Sequence, residues 1–159
     1  MSITIVRHGE SVWNKQNLFT GFKDVELSDD GVIEANLCGE EISKSLIDIK
    51  YDVSFTSNLM RASKTCEIIK SYFDYNFDII NTECLNERDY GDLTGLNKNE
   101  TIIKFGKEQV QLWRRSVDTR PPNGENLLDV IDRVRKYYNE NILPLINKNK
   151  NILIVAHGN

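Results

Sequence analysis

At 159 residues, 40% of them hydrophobic and 28% charged, the chain has the length of one domain with a substantial core. Its formal net charge of −4 lacks the basic footprint of a nucleic-acid binder. Its longest apolar run, Ile152 to Ala156, is too short to span a bilayer, and Met1-Ser2-Ile3-Thr4 has no basic start of a secretory leader, so a cytoplasmic protein is expected.

The first element is a short strand, Ile3-Thr4-Ile5-Val6, which ends in Arg7-His8-Gly9. Ser28 then N-caps a helix with Val32, Ala35, Cys38, Ile42 and Leu46 on its apolar face. Asp52 to Ser57 reads as a second strand. A helix follows from about Leu59, with Leu59, Ala62, Cys66, Ile69 and Phe73 at helical spacing. Phe77-Asp78-Ile79-Ile80 is a third strand, and a long loop with Gly91 and Gly95 leads into two helical pieces. Leu127, Val130, Ile131, Val134, Tyr138 and Ile142 mark one more amphipathic helix. The last strand, Asn151 to Ala156, is apolar at nearly every position and belongs at the centre of a sheet. Alternating strands and helices imply an α/β fold of three layers, a mostly parallel sheet flanked by helices, in one domain over residues 1–159. Cys38, Cys66 and Cys84 contain no C-x-x-C pair and are expected as buried free thiols.

Ligands of such sheets bind beyond the carboxyl ends of the strands. The chain has two histidines, and each stands there with a glycine after it: Val6-Arg7-His8-Gly9 and Val155-Ala156-His157-Gly158. A neutral ring nitrogen of His8 suits nucleophilic attack on phosphorus. Arg7 and Arg61 offer forked donors to the phosphoryl oxygens, and His157 offers those oxygens a hydrogen bond or a charge in the transition state. Arginines supply the charge that a metal supplies elsewhere, and neither an H-E-x-x-H motif nor a P-loop occurs, so no metal is expected.

The series Arg7-His8-Gly9-Glu10-Ser11 with Trp13-Asn14 resembles the signature of the histidine phosphatase superfamily. Asn17-x-Phe19-Thr20-Gly21 and Asp24-Val25-x-Leu27-Ser28 are similar to its cofactor-dependent phosphoglycerate mutase branch. So are Thr56-Ser57-x-Leu59-x-Arg61-Ala62, Leu85-Asn86-Glu87-Arg88-x-Tyr90-Gly91, Gly95-Leu96-Asn97-Lys98, Trp113-Arg114-Arg115 and His157-Gly158-Asn159. The resemblance implies interconversion of 3- and 2-phosphoglycerate in glycolysis and gluconeogenesis through a phosphohistidine, primed by 2,3-bisphosphoglycerate. It makes His8 the phosphoryl acceptor and Glu87 the general acid/base, with Arg7, Arg61 and His157 on the transferred group and Asn14 assisting. It assigns Ser11, Thr20, Gly21, Arg88, Tyr90, Lys98, Arg114, Arg115, Gly158 and Asn159 to substrate binding. The partner implied is a small phosphoglycerate, with no nucleic acid and no membrane, and a homodimer is left open. A histidine phosphomonoesterase, or a remnant that keeps the site without turnover, are the alternative readings of the same residues.

Two departures from that family stand out. Arg120-Pro121-Pro122-Asn123-Gly124-Glu125 passes directly to the last long helix, as in the family's short form. The chain also stops at Asn159, before the family's C-terminal helix and strands, which leads us to expect a truncated form with the first strand on an open edge.

Overall fold

A computed structural model describes all 159 residues. Four parallel strands form one sheet in the order β1-β4-β2-β3, with β1 at Ile3–Arg7, β2 at Val53–Ser57, β3 at Asp78–Thr82 and β4 at Ile152–Ala156. The register is level: Arg7 pairs with Ala156, and Thr56 with Val155. Consequently His8, Ser57 and His157 all leave the sheet at the same edge. β4 is central, as its composition predicts. Its Leu153 and Val155 pack into one core cluster with Ile42, Cys66 and Ile69, while Ile152 and Ile154 face a second with Phe55 and Ile142. That two-sided alternation makes three layers.

β1 is an edge strand, hydrogen-bonded to β4 alone, with Ile5 75% exposed. No helix is long and apolar enough to cross a membrane.

The helices are α1 (Val12–Lys15), α2 (Asp29–Ser45), α3 (Met60–Lys70), α4 (Lys98–Phe105), α5 (Lys107–Arg115), α6 (Leu127–Tyr137) and α7 (Leu143–Ile146). Ser28 caps α2 as expected, its Oγ accepting the Gly31 N–H at 3.0 Å. The expected apolar face of α2 is largely the buried one: Ala35 and Ile42 are inside and Cys38 and Leu46 pack half-buried on the first cluster, while Val32 is exposed and Gly31 and Gly39 are buried in addition. Two glycines on that face let the helix approach its neighbours, a signal that apolar counting passes over. Phe73 falls beyond the end of α3 yet still packs on the first cluster.

The expected helix through Ile142 is interrupted. α6 widens to a π-turn over Tyr138–Ile142 before α7. Pro144 supplies the reason, since it has no N–H for the carbonyl of Glu140. Ile131 is exposed rather than on the buried face. Of the three free thiols only Cys66 is buried; Cys38 and Cys84 are half-buried, which corrects the expectation for those two.

Candidate active site

The His8 loop is shaped by close backbone approach. His8 N–H donates to the Ala156 carbonyl at 3.0 Å, extending the β1–β4 ladder by one step. Gly9 N–H then donates to Thr65 Oγ1 at 3.1 Å. A Cβ at Gly9 would lie 2.3 Å from the Gly31 carbonyl oxygen, and one at Gly31 would lie 1.9 Å from that of Glu10. These two glycines let the start of α2 press on the loop. Ser11 caps α1 through a reciprocal box with Asn14: Ser11 Oγ accepts the Asn14 N–H, and Asn14 Oδ1 accepts the Ser11 N–H.

The His8 ring is buried, with Nδ1 2.6 Å from the Gly9 carbonyl oxygen. A carbonyl only accepts, so Nδ1 carries the proton and Nε2 keeps its lone pair. Burial, aided by the guanidiniums of Arg61 and Arg7, lowers the ring's pKa from 6.5 to about 4 against the pull of the Gly9 bond. At neutral pH His8 is therefore uncharged and nucleophilic at Nε2.

His157 lies edge-on to His8, ring centroids 4.9 Å apart. Burial, with Arg61 and His8 next in weight, holds it far below the ordinary imidazole range. Its Nε2 is 2.8 Å from Ser57 Oγ, which already accepts the Leu59 N–H. The Ser57 hydroxyl proton has no other acceptor and serves Nε2, which puts the His157 proton on Nδ1. That nitrogen is buried without a partner, a donor awaiting an acceptor.

Arg61 reaches the same place from the first turn of α3. It is 1% exposed, and its guanidinium donates to the carbonyls of Gly21 (3.0 Å) and Lys23 (3.1 Å) with no carboxylate in ion-pair range. A buried cation without a counter-ion is costly unless an anion joins it. Lys98 opens α4, where the helix dipole disfavours a positive charge. Burial, then Arg114 and Arg7, lowers its pKa. Placement against local preference marks functional positions.

Glu87 Oε1 accepts two hydrogen bonds, from the Arg88 N–H at 2.8 Å and Asn159 Nδ2 at 2.9 Å. Its Oε2 has no protein partner. Sequence reasoning passed over what holds the segment. Arg133 of α6 forks onto Glu125 (Nε–Oε1 and Nη2–Oε2, both 3.0 Å) and donates to the carbonyls of Cys84 and Glu87. Glu125 Oε2 also accepts the Asp89 N–H. One helical turn beyond Val130, Arg133 shares the inward face of α6. An arginine on an apolar face was the available signal.

These elements enclose a cavity of about 380 Å³. Arg7, His8, Asn14, Thr20, Gly21 and Arg61 line one part of it. Glu87, Tyr90, Lys98, Arg114, Arg115, Gly158 and Asn159 line the rest, together with Phe19, a motif residue with no expected ligand role, and Leu18, which no motif marks. Three expected residues do not reach the wall. Ser11 is fully buried as the cap of α1, and His157 stands beside His8 without lining the cavity. Arg88 is 0% exposed, its guanidinium bonded to the carbonyls of Trp113 and Arg114, so it is not placed to touch a ligand. The wall carries five fixed cations (Arg7, Arg61, Lys98, Arg114, Arg115) against one carboxylate (Glu87), an excess of 5 − 1 = 4 charges in a chain of net −4. Such a site selects a small polyanion. No cluster of three or more His, Cys, Asp or Glu side chains is disposed to hold a metal ion.

The profile of the histidine phosphatase superfamily (branch 1) matches residues 3–159. A phosphoglycerate mutase of Schizosaccharomyces pombe is 52% identical over 158 residues, covering 99% of this chain and 74% of that protein. A 2,3-bisphosphoglycerate-dependent phosphoglycerate mutase of Allorhizobium ampelinum is 48% identical over 159 residues, with coverage of 99% and 74%. Among solved structures, a mycobacterial hydrolase superposes with a TM-score of 0.83 at 24% identity, covering 97% of this chain and 72% of that one. A mycobacterial glucosyl-3-phosphoglycerate phosphatase bound to VO3 gives 0.82 at 25% identity, with coverage of 97% and 74%. The likeness in structure shows the fold: an α/β sheet flanked by helices. The chain is a member of the histidine phosphatase superfamily, whose catalytic fold serves phosphoryl transfer and hydrolysis.

Proposed function

We propose that this chain interconverts 3-phosphoglycerate and 2-phosphoglycerate, a step of glycolysis and gluconeogenesis, by carrying a phosphoryl group on His8. The observation that carries this reading is a second set of cations, Lys98, Arg114 and Arg115, in the same cavity as Arg7, Arg61 and His8. Hydrolysis of a phosphomonoester needs one phosphate held in line. Retaining a molecule with two phosphates and a carboxylate needs charge at both ends. The names borne by relatives at 48–52% identity agree with this reading.

The site fits 2,3-bisphosphoglycerate as the priming donor, because unpaired Arg61 and the orphan His157 Nδ1 both call for anionic oxygens. That compound supplies the phosphoryl group that loads His8. His8 Nε2 attacks phosphorus, forming the P–N bond as the ester P–O bond breaks and protonated Glu87 gives its proton to the departing oxygen. Arg7 and Arg61 hold the phosphoryl oxygens, and the Nδ1–H of His157, just behind the wall beside His8, donates to one of them where the group seats against the His8 ring. Glu87 then takes the proton of the substrate hydroxyl as that oxygen attacks phosphorus, and the P–N electrons return to Nε2. For the reverse half, His8 accepts the other phosphoryl group and Glu87 returns the proton to the departing oxygen. Lys98, Arg114 and Arg115 hold the far end throughout.

The test is an enolase-coupled assay with 3-phosphoglycerate and a trace of 2,3-bisphosphoglycerate, run on a sample that melts cooperatively. Formation of 2-phosphoglycerate is expected. Phosphate release without isomerisation makes the chain a phosphomonoesterase instead, and turnover of neither kind makes it a remnant.

A further inference from the structure

Arg88 is fully buried, faces no ligand and has no acidic partner, yet it bridges two parts of the cavity wall. Its main-chain N–H donates to Glu87 Oε1 at 2.8 Å. Its Nη1 donates to the carbonyl of Trp113 at 2.9 Å, and its Nη2 to that of Arg114 at 3.0 Å. The guanidinium also lies over the Tyr90 ring, 4.6 Å from its centroid.

A helix leaves its last four carbonyls without intrahelical partners. In α5 these are Leu112, Trp113, Arg114 and Arg115; Ser116 N–H takes that of Leu112, and Arg88 takes the next two. A cation at this end is also favoured by the helix dipole. The apolar hold on the segment is small: Val110 is the one fully buried apolar residue of α4 and α5, with Ile102 and Trp113 half-buried against Phe19 and Leu93. An element with so little buried surface depends on its few polar anchors.

We propose that Arg88 is a positioning residue for the second anion site: it clamps the end of α5 and thereby sets Arg114 and Arg115 against the Glu87 side of the cavity. This rests on the reading that the arginine pair grips the far end of a two-anion ligand. Binding tests it without any turnover. Isothermal titration compares 3-phosphoglycerate, which carries a carboxylate beside its phosphate, with inorganic phosphate, for wild type, Arg88→Met, Arg88→Lys and Arg114→Gln.

In Arg88→Met the Kd for 3-phosphoglycerate is expected to rise about tenfold more than that for phosphate, as loss of hydrogen bonds to a charged group implies. Arg88→Lys, which keeps the charge but not the fork, should fall between wild type and Arg88→Met. Combining Arg88→Met with Arg114→Gln should cost less than the two separately, because both act on one contact. Equal weakening of both ligands, or additive effects of Arg88 and Arg114, overturns the proposal. If Arg88→Met fails to fold, Arg88→Lys alone decides, by whether it weakens 3-phosphoglycerate more than phosphate. A wild type that binds 3-phosphoglycerate but makes no 2-phosphoglycerate contradicts the mutase reading and leaves this comparison valid.

Discussion

The Nδ1 of His8 donates to the carbonyl oxygen of Gly9 across 2.6 Å, and this one bond decides which nitrogen is free to react. The glycine that allows it is held by Thr65 and by the approach of α2. Reactivity at Nε2 is thus a property of backbone packing as much as of the imidazole.

The pH dependence of stability follows from the same burial. His8 titrates at about 4 in the folded chain, against 6.5 for an ordinary imidazole. Between those values the unfolded chain binds a proton that the folded chain does not, so stability rises with pH through that window. It is complete above 6.5 and is lost as pH falls toward 4, with a limiting slope of about 1.4 kcal/mol per pH unit for one proton. Urea unfolding of wild type and His8→Gln should show the stability difference between them moving against wild type on acidification. A pH-independent difference contradicts the assignment.

Glu87→Gln removes the proton acceptor but keeps an oxygen for the Arg88 N–H. We expect kcat to fall by roughly 10²- to 10⁴-fold, the usual contribution of a general acid/base, with melting temperature nearly unchanged. Steady-state kinetics of the folded variant check this; a wild-type kcat removes Glu87 from the mechanism.

Gly31→Ala separates helix propensity from packing. Propensity alone favours alanine in a helix by about 1 kcal/mol. A Cβ there meets the Glu10 carbonyl at 1.9 Å, so net destabilisation of about 1–3 kcal/mol is expected, with loss of activity as the His8 loop shifts. A stabilised, fully active variant contradicts the packing account.

Arg133→Met leaves Glu125 unpaired in a pair whose side chains are about one-fifth exposed. Removing one partner of a largely buried ion pair costs on the order of 3 kcal/mol. Glu125→Gln still accepts from Asp89 and Arg133 and should cost less, about 1 kcal/mol. Denaturant midpoints of the two variants give the order directly, and the reverse order contradicts the clamp.

The sheet was legible because its strands are short apolar runs with catalytic-type residues at their ends, and the level register of Arg7 and Ala156 turned those ends into one edge. Cavity residues were legible through motifs, from His8 to Asn159. What the sequence concealed lies in residues whose role is set by distant partners. Arg88 adjoins Glu87 in the chain and reads as a ligand contact, but its partners are carbonyls more than twenty residues away. Arg133 reads as one more charge on a helix until Glu125 and the Glu87 carbonyl surround it. Gly31 is invisible to hydrophobic periodicity because its value is the side chain it lacks.

The central claim is that His8 carries the phosphoryl group. Incubation with radiolabelled 2,3-bisphosphoglycerate, rapid quench in alkali and peptide mapping test it most directly. We expect an acid-labile, base-stable label on His8 that is absent from His8→Gln and discharged by 3-phosphoglycerate. A folded wild type that takes up no label, or a label that persists in His8→Gln, contradicts the account.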